Sequence, residues 1–314
     1  MASLRAIARH IGYRFTRRSD RQLEPKLVHV IACGNTLGEG IQWNGEDGCA
    51  WWTDIMESTL HCCDLVGQAP KVIALPERLG CFAFARSGTR MLLALASGIA
   101  WFDRASGALE WIARPEAGVG GNRSNDGRCD RQGRFWVGTC VEDGSAGGPG
   151  AALYCLRADG RVSTHLRGLG TSNSLCWSPD GGTLYHADSP SRTILAYDFD
   201  GAEGTLSRPR VFARTEPGVY PDGACVDREG GVWNAQWGGA RVRRYWPNGS
   251  IDFDIRMPVS QPTCVAFGGS ELDLLLVSTA RAGLDPAQRA AQPLAGHVLV
   301  CDAGMRGLPE SRFG

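Results

Sequence analysis

The stretch ACVDREGGVWNAQ (224–236) decides the fold. A short apolar run is followed by a tight D-x-x-G turn, and then by a second run that carries a tryptophan. Two short strands joined by such a turn read as a β-hairpin. Five other stretches share the design: IQWNGEDGCAWWTD (41–54), CFAFARSGTRMLLAL (81–95), RCDRQGRFWVGT (128–139), LCWSPDGGTLYHAD (175–188) and CVAFGGSELDLLLVST (264–279). They recur roughly every 40–50 residues, the spacing of propeller blades. A further strand-like run follows each one, at 60–64, 99–103, 152–156, 194–198, 242–246 and 298–302. Several units add a fourth, at 71–75, 109–113, 211–213 and 251–255. About four strands in each of six units predict an all-β, six-bladed β-propeller with four-stranded antiparallel blades around a central channel. Beyond residue 25 no amphipathic helix of ten or more residues is expected.

Composition narrows the function classes. The chain has 314 residues, 43% hydrophobic and 21% charged, which suits one large soluble domain. Lysine plus arginine and aspartate plus glutamate both number 33, so the formal charge is zero. There is no basic stripe with interleaved aromatics, which argues against a nucleic-acid partner. No apolar run is long enough to cross a membrane as a helix. Residues 1–25 read as a basic, disordered extension and 26–314 as the propeller domain. The start of the chain lacks the apolar core of a secretory signal, so a cytoplasmic protein is expected. The twelve cysteines form no zinc-like cluster and read as reduced thiols. A monomer or weak oligomer is expected.

A propeller sends one equivalent position from every blade to its axis. Aligned on the turn, with an offset of five residues, that position reads Glu39, Gly80, Asn125, Asn173, Asp222 and Gln261 or Thr263. Strands disfavour Asp, Asn and Gly. Singly, the Asn-Asp-Gly (125–127) and Pro-Asp-Gly (221–223) tripeptides are ordinary turn signals. Together, two carboxylates and two amides converging on one axis call for a bound partner. A divalent cation held by oxygen ligands is the economical choice. Calcium, magnesium, manganese, zinc and ferrous iron all remain open. Other chemistries lack their signatures: there is no GxSxG elbow, no GxGxxG opening a helix and no HExxH. His186, in LYHAD, reads as a buried strand histidine.

Five segments carry a family resemblance: LGEGIQW (37–43), NRSNDGRCDRQGRFWVGT (122–139), SNSLCWSPDG (172–181), YPDGACVDREGGVW (220–233), and FGG with TARAGL (267–269, 279–284). The chain resembles the gluconolactonase/regucalcin family, which includes bacterial sugar lactonases. The resemblance implies a six-bladed propeller with one catalytic divalent metal and a sugar-lactone substrate. It assigns Glu39, Asn173 and Asp222 as metal ligands. It also assigns Arg123 and Asn125 as sugar contacts, with an acidic contact on Glu142 or Asp143 that counting places on Asp143. Asp222, a ligand with a second oxygen, is then the candidate general base for the attacking water. Trp237, beside two glycines, is a candidate to pack on a sugar face. The competing expectation is a metal-binding or partner-binding propeller without catalysis.

Overall fold

The structure is a computed structural model that describes residues 22–23, 26–65, 69–143, 148 and 150–314. Two short strands come first, β1 (Gln22–Leu23) and β2 (Lys26–Ile31). Blade 1 is β3 (Gly38–Asn44), β4 (Cys49–Asp54), β5 (Thr59–Asp64) and β6 (Lys71–Ala74). Blade 2 is β7 (Leu79–Phe84), β8 (Arg90–Leu95), β9 (Gly98–Asp103) and β10 (Leu109–Ala113). Blade 3 is β11 (Asn122–Cys129), β12 (Phe135–Val141), β13 (Ala151–Leu156) and β14 (Val162–Leu169). Blade 4 is β15 (Ser172–Trp177), β16 (Thr183–Asp188), β17 (Thr193–Asp200) and β18 (Thr205–Arg214). Blade 5 is β19 (Tyr220–Val226), β20 (Val232–Trp237), β21 (Arg241–Tyr245) and β22 (Ile251–Arg256). Blade 6 is β23 (Pro262–Gly268), β24 (Leu274–Thr279) and β25 (Val298–Asp302), completed by β2. Each of the six hairpin motifs is the turn and paired strands at the inner edge of one blade. The inner strands β3, β7, β11, β15, β19 and β23 neighbour one another in a closed ring. The six-bladed propeller expected from the repeat is the observed fold.

Two features escape the repeat. Blade 6 is closed by the N-terminal strand: β2 runs antiparallel to β25, with Lys26 opposite Asp302 and their side chains 2.7 Å apart. The pairing removes two open sheet edges and locks the ring. Within the expected extension, Gln22 and Leu23 pair in parallel with β22; residues 1–21 and 24–25 lie outside the described residues. Helix is confined to one short α-helix, α1 (Pro286–Ala291), in the insertion of blade 6, and one 3-10 turn at Ser189–Ser191, among the described residues. None is long and apolar enough to cross a membrane. All twelve cysteines are free thiols.

The core sits between blades, one cluster at each of the six interfaces. Trp136, Leu153, Leu175 and Phe199 fill the seam of blades 3 and 4. Trp233, Phe253, Phe267 and Leu275 fill that of blades 5 and 6. The D-x-x-G motif now has a physical cause. Asp227 accepts from the turn amides of Glu229 and Gly231 through one oxygen, and from Trp233 Nε1 (2.7 Å) through the other. Asp130 repeats this with Gln132, Arg134 and Trp136. One carboxylate therefore sets the turn and satisfies the indole that would otherwise be buried unpaired.

Candidate metal and substrate site

Every inner strand carries a β-bulge at the same height. The ladder slips between Glu39 and Gln42, Leu79 and Cys81, Ser124 and Gly127, Asn173 and Cys176, Pro221 and Ala224, and Pro262 and Cys264. Bulges add a residue and re-aim side chains, and they gather beside functional sites. Here six of them encircle one end of the channel.

The bulge revises the sequence register. Glu39 and Asn173 are still paired, opposite Thr53 and Ala187. Asn125 and Asp222 are one residue further on, because Ser124 and Pro221 take the paired place. The single position inferred from turn spacing is therefore two adjacent ones. The turns differ in length (Asn44 leads to Cys49, Asp227 to Gly231), and this hid the slip. Blades 1 and 4 accommodate the bulge with a left-handed residue directly after the polar one, Gly40 at φ 59° and Ser174 at φ 60°. A left-handed serine is strained by about 1 kcal/mol or more. It is held because Ser174 Oγ donates to Asp222 O (2.6 Å) and accepts from Asn234 Nδ2 (3.0 Å). Blade 2 contributes only Gly80: a Cβ there would lie 2.4 Å from Ser124 O, so the position must be empty for β11 to approach.

The side chains meet in two groups. The Glu39 and Asp222 carboxyls, from blades 1 and 5, are in contact with each other. Burial, and the nearby Asp126 carboxylate, push Glu39 up to about 8. Burial and the charge of Glu39 push Asp222 well above the usual carboxylate range. Asn173 is gripped by its amide nitrogen, which donates to Ser189 Oγ (2.9 Å); that hydroxyl donates on to Pro221 O (2.7 Å), beside Asp222. Asn173 Oδ1 is left to accept, and Asn125 Nδ2 donates to it at 2.9 Å. Arg123 Nη1 donates to Asn125 Oδ1 (2.7 Å) and to Ser124 O (2.9 Å), and Arg123 Nε donates to Glu142 Oε1 (2.7 Å). The acid bonded to Arg123 is thus Glu142; the backbone N–H of Asp143, the residue that counting gives as the acidic sugar contact, bonds Gly121 O. Trp237, half-buried, stands opposite Tyr220 at the mouth end of β20. His186 is buried against Ser172 Oγ and pushed down to about 4 by burial, so it stays neutral.

These residues fit a divalent cation. Two carboxyls in contact cannot both ionise without a positive charge between them. Among the described residues no three His, Cys, Asp or Glu side chains are disposed to hold a metal, so an amide oxygen has to complete the set. Asn173, its nitrogen already committed, is turned to supply one. Hard oxygen donors of this kind suit calcium, magnesium or manganese.

Three contributors were not singled out from sequence. Asp126, the second bulged residue of blade 3, is buried and accepts from Leu175 N (2.9 Å), an amide that the blade 4 bulge leaves outside the ladder. Burial raises its pKa. Ser174 and Ser189 pin Asp222 and Asn173. Sequence carried a signal only for Asp126, which sits inside the Asn-Asp-Gly tripeptide.

A bulged propeller ring of acids and amides with an adjacent arginine defines a class of channel-end, metal-competent sites. The chain belongs to the SMP-30/Gluconolactonase/LRE-like family, whose model matches residues 37–281. It is 39% identical to an L-arabinolactonase of Azospirillum brasilense over 89% of this chain and 92% of that one. It is 35% identical to a 6-deoxy-6-sulfogluconolactonase of Pseudomonas putida over 91% and 98%. A crystal structure of a calcium-binding protein, regucalcin, from Agrobacterium tumefaciens superposes with a TM-score of 0.87 at 31% identity, covering 95% of this chain and all of that one.

Proposed function

We propose that this protein is a metal-dependent sugar lactonase that hydrolyses an aldonolactone to the open aldonic acid. The observation that carries this reading is the contact of Glu39 with Asp222 beside the Asn173–Asn125–Arg123 chain. An empty scaffold has no use for two mutually repelling buried acids next to a guanidinium. Glu39, Asp222 and Asn173 Oδ1 would hold the ion. Bound there, a divalent cation supplies Lewis-acid polarisation of the lactone carbonyl. Asp222 takes a proton from the attacking water through its second oxygen. Arg123 and Asn125 orient the sugar hydroxyls, and Glu142 takes the acidic place that counting gave to Asp143. The names of two relatives, an L-arabinolactonase and a 6-deoxy-6-sulfogluconolactonase, support a sugar-acid lactone as substrate, with arabinono-, xylono-, galactono- and gluconolactone as the candidates.

A non-catalytic, regucalcin-like ion-binding role is the second reading, favoured by the calcium-binding description of the superposed structure. One experiment separates the two. Acid release from a panel of aldonolactones is followed after exhaustive chelation and after return of calcium, magnesium, manganese, zinc or ferrous iron. Asp222→Ala and Glu39→Gln run alongside. The lactonase reading requires turnover that disappears on chelation and in both variants. Ion binding without turnover of any lactone gives the second reading.

A further inference from the structure

We propose that Arg78 is a positioning residue that sets the substrate-facing guanidinium of Arg123 through Glu142. Arg78 lies in the turn entering blade 2, its carbonyl fixed by Ala96 N (2.8 Å). Both terminal nitrogens meet Glu142: Nη1 at 2.7 Å from Oε1 and Nη2 at 2.7 Å from Oε2. Such a two-pronged pair holds the carboxylate plane as well as its position. Glu142 Oε1 also accepts from Arg123 Nε at 2.7 Å. Arg123 then grips Asn125, and Asn125 the oxygen of Asn173. Five side chains from blades 2, 3 and 4 thus run unbroken from the rim to the ion-facing amide. Glu142 follows the last residue of β12, and its backbone N–H bonds Gly121 O (2.8 Å), so its main chain is placed while the orientation of its carboxylate on Arg123 is left to Arg78. The Arg78 and Glu142 side chains are 35% and 28% exposed, so as a mere staple between blades the pair is worth less than about 1 kcal/mol. Its value lies in orientation. A lysine in its place offers one point charge and cannot hold both oxygens.

The kinetic arm of the test rests on the lactonase reading; the spectroscopic arm does not. Arg78→Ala, Arg78→Lys, Glu142→Gln and the Arg78→Ala/Glu142→Gln double variant are compared with the parent. The Nε–H resonance of Arg123, identified by its loss in Arg123→Lys, is followed by nitrogen-15 NMR. In Arg78→Ala that resonance shifts or broadens, while the melting temperature moves by less than about 2 °C. In an active enzyme KM rises about fivefold with kcat nearly unchanged, Arg78→Lys recovers only part, and the double variant is no worse than Glu142→Gln. An Arg123 resonance identical in parent and Arg78→Ala overturns the proposal. So does full multiplication of the two single effects in the double variant. If the parent opens no lactone, the lactonase reading falls and the resonance alone decides the role of Arg78.

Discussion

Asp222 on blade 5 meets Glu39 on blade 1, carboxyl to carboxyl, with blades 2, 3 and 4 between them in sequence and blade 6 between them around the ring. The closed ring makes this contact, and it is costly unless a proton or a cation sits between the two. Removing either charge relieves the repulsion and dismantles the ion site together. Asp222→Asn and Glu39→Gln are therefore expected to raise the melting temperature of the metal-free protein and to abolish the rise caused by adding metal. Loss of Asp222, as ligand and base, lowers kcat/KM by at least about a thousandfold. A scanning-fluorimetry titration of the variants with calcium and manganese, beside lactone assays, checks both halves. A metal-free variant that melts below the parent would contradict the account.

The same contact sets a pH dependence. Glu39 ordinarily titrates at 4.5 and in the folded protein near 8, so across that window the folded state binds more protons than the unfolded one. Stability attached to this group is present at low pH and is lost as pH rises toward 8. A bound divalent cation replaces the proton and removes the slope. The chelated protein should lose melting temperature steadily between about pH 5 and pH 8, and the metal-loaded protein should not. Parallel slopes in the two forms would exclude an ion at this pair.

Ser189 holds Asn173 by its nitrogen and thereby turns its oxygen inward. Ser189→Ala leaves the backbone untouched and frees the amide to flip. The cost of one buried hydrogen bond, about 1 kcal/mol, corresponds to about a fivefold weaker metal affinity. Isothermal calorimetry with calcium or manganese measures it. Asn173→Ala, which deletes the ligand itself, should weaken binding much further.

The inner part of each blade was legible from sequence because its physics is local. The turn carboxylate, the indole it satisfies and the apolar run all lie within fifteen residues of one another. The outer strand β14 was not, since VSTHLRGL is half-exposed and has no clean alternation. Nor was β2, whose partner Asp302 lies at the opposite end of the chain. At the site, Glu39, Asn125, Asn173 and Asp222 were readable from their odd composition at strand starts. Their true register was not, because a bulge shifts the ladder by one residue without any fixed sequence mark. Arg78 and Glu142 belong to separate blades and were linked by nothing but space.

The far end of the channel is sealed by the C-terminal segment, and its weak point is a charge. Gly307 bridges to Asp227, Phe313 to Ala85, and Gly314 N bonds Gly133 O, so the segment crosses the turns of blades 5, 2 and 3. Phe313 is buried in the seam of blades 2 and 3 against Trp101. Glu310 reaches in to pair with Arg128, a buried guanidinium on the inner strand of blade 3 whose Nη2 also bonds Val265 O (3.3 Å). Burial alone would lower the pKa of Arg128; the Glu310 carboxylate, with smaller contributions from Cys264, Cys225 and Asp126, more than offsets it. Breaking a buried pair leaves an uncompensated charge and costs about 3–5 kcal/mol, whereas replacing both partners by apolar groups is often neutral. Glu310→Ala should therefore lower stability to urea by about that much. The paired Arg128→Met/Glu310→Met variant should recover most of it, with metal affinity close to the parent value. A double variant as unstable as Glu310→Ala would show that the segment seals the channel through its backbone and Phe313 rather than through the ion pair.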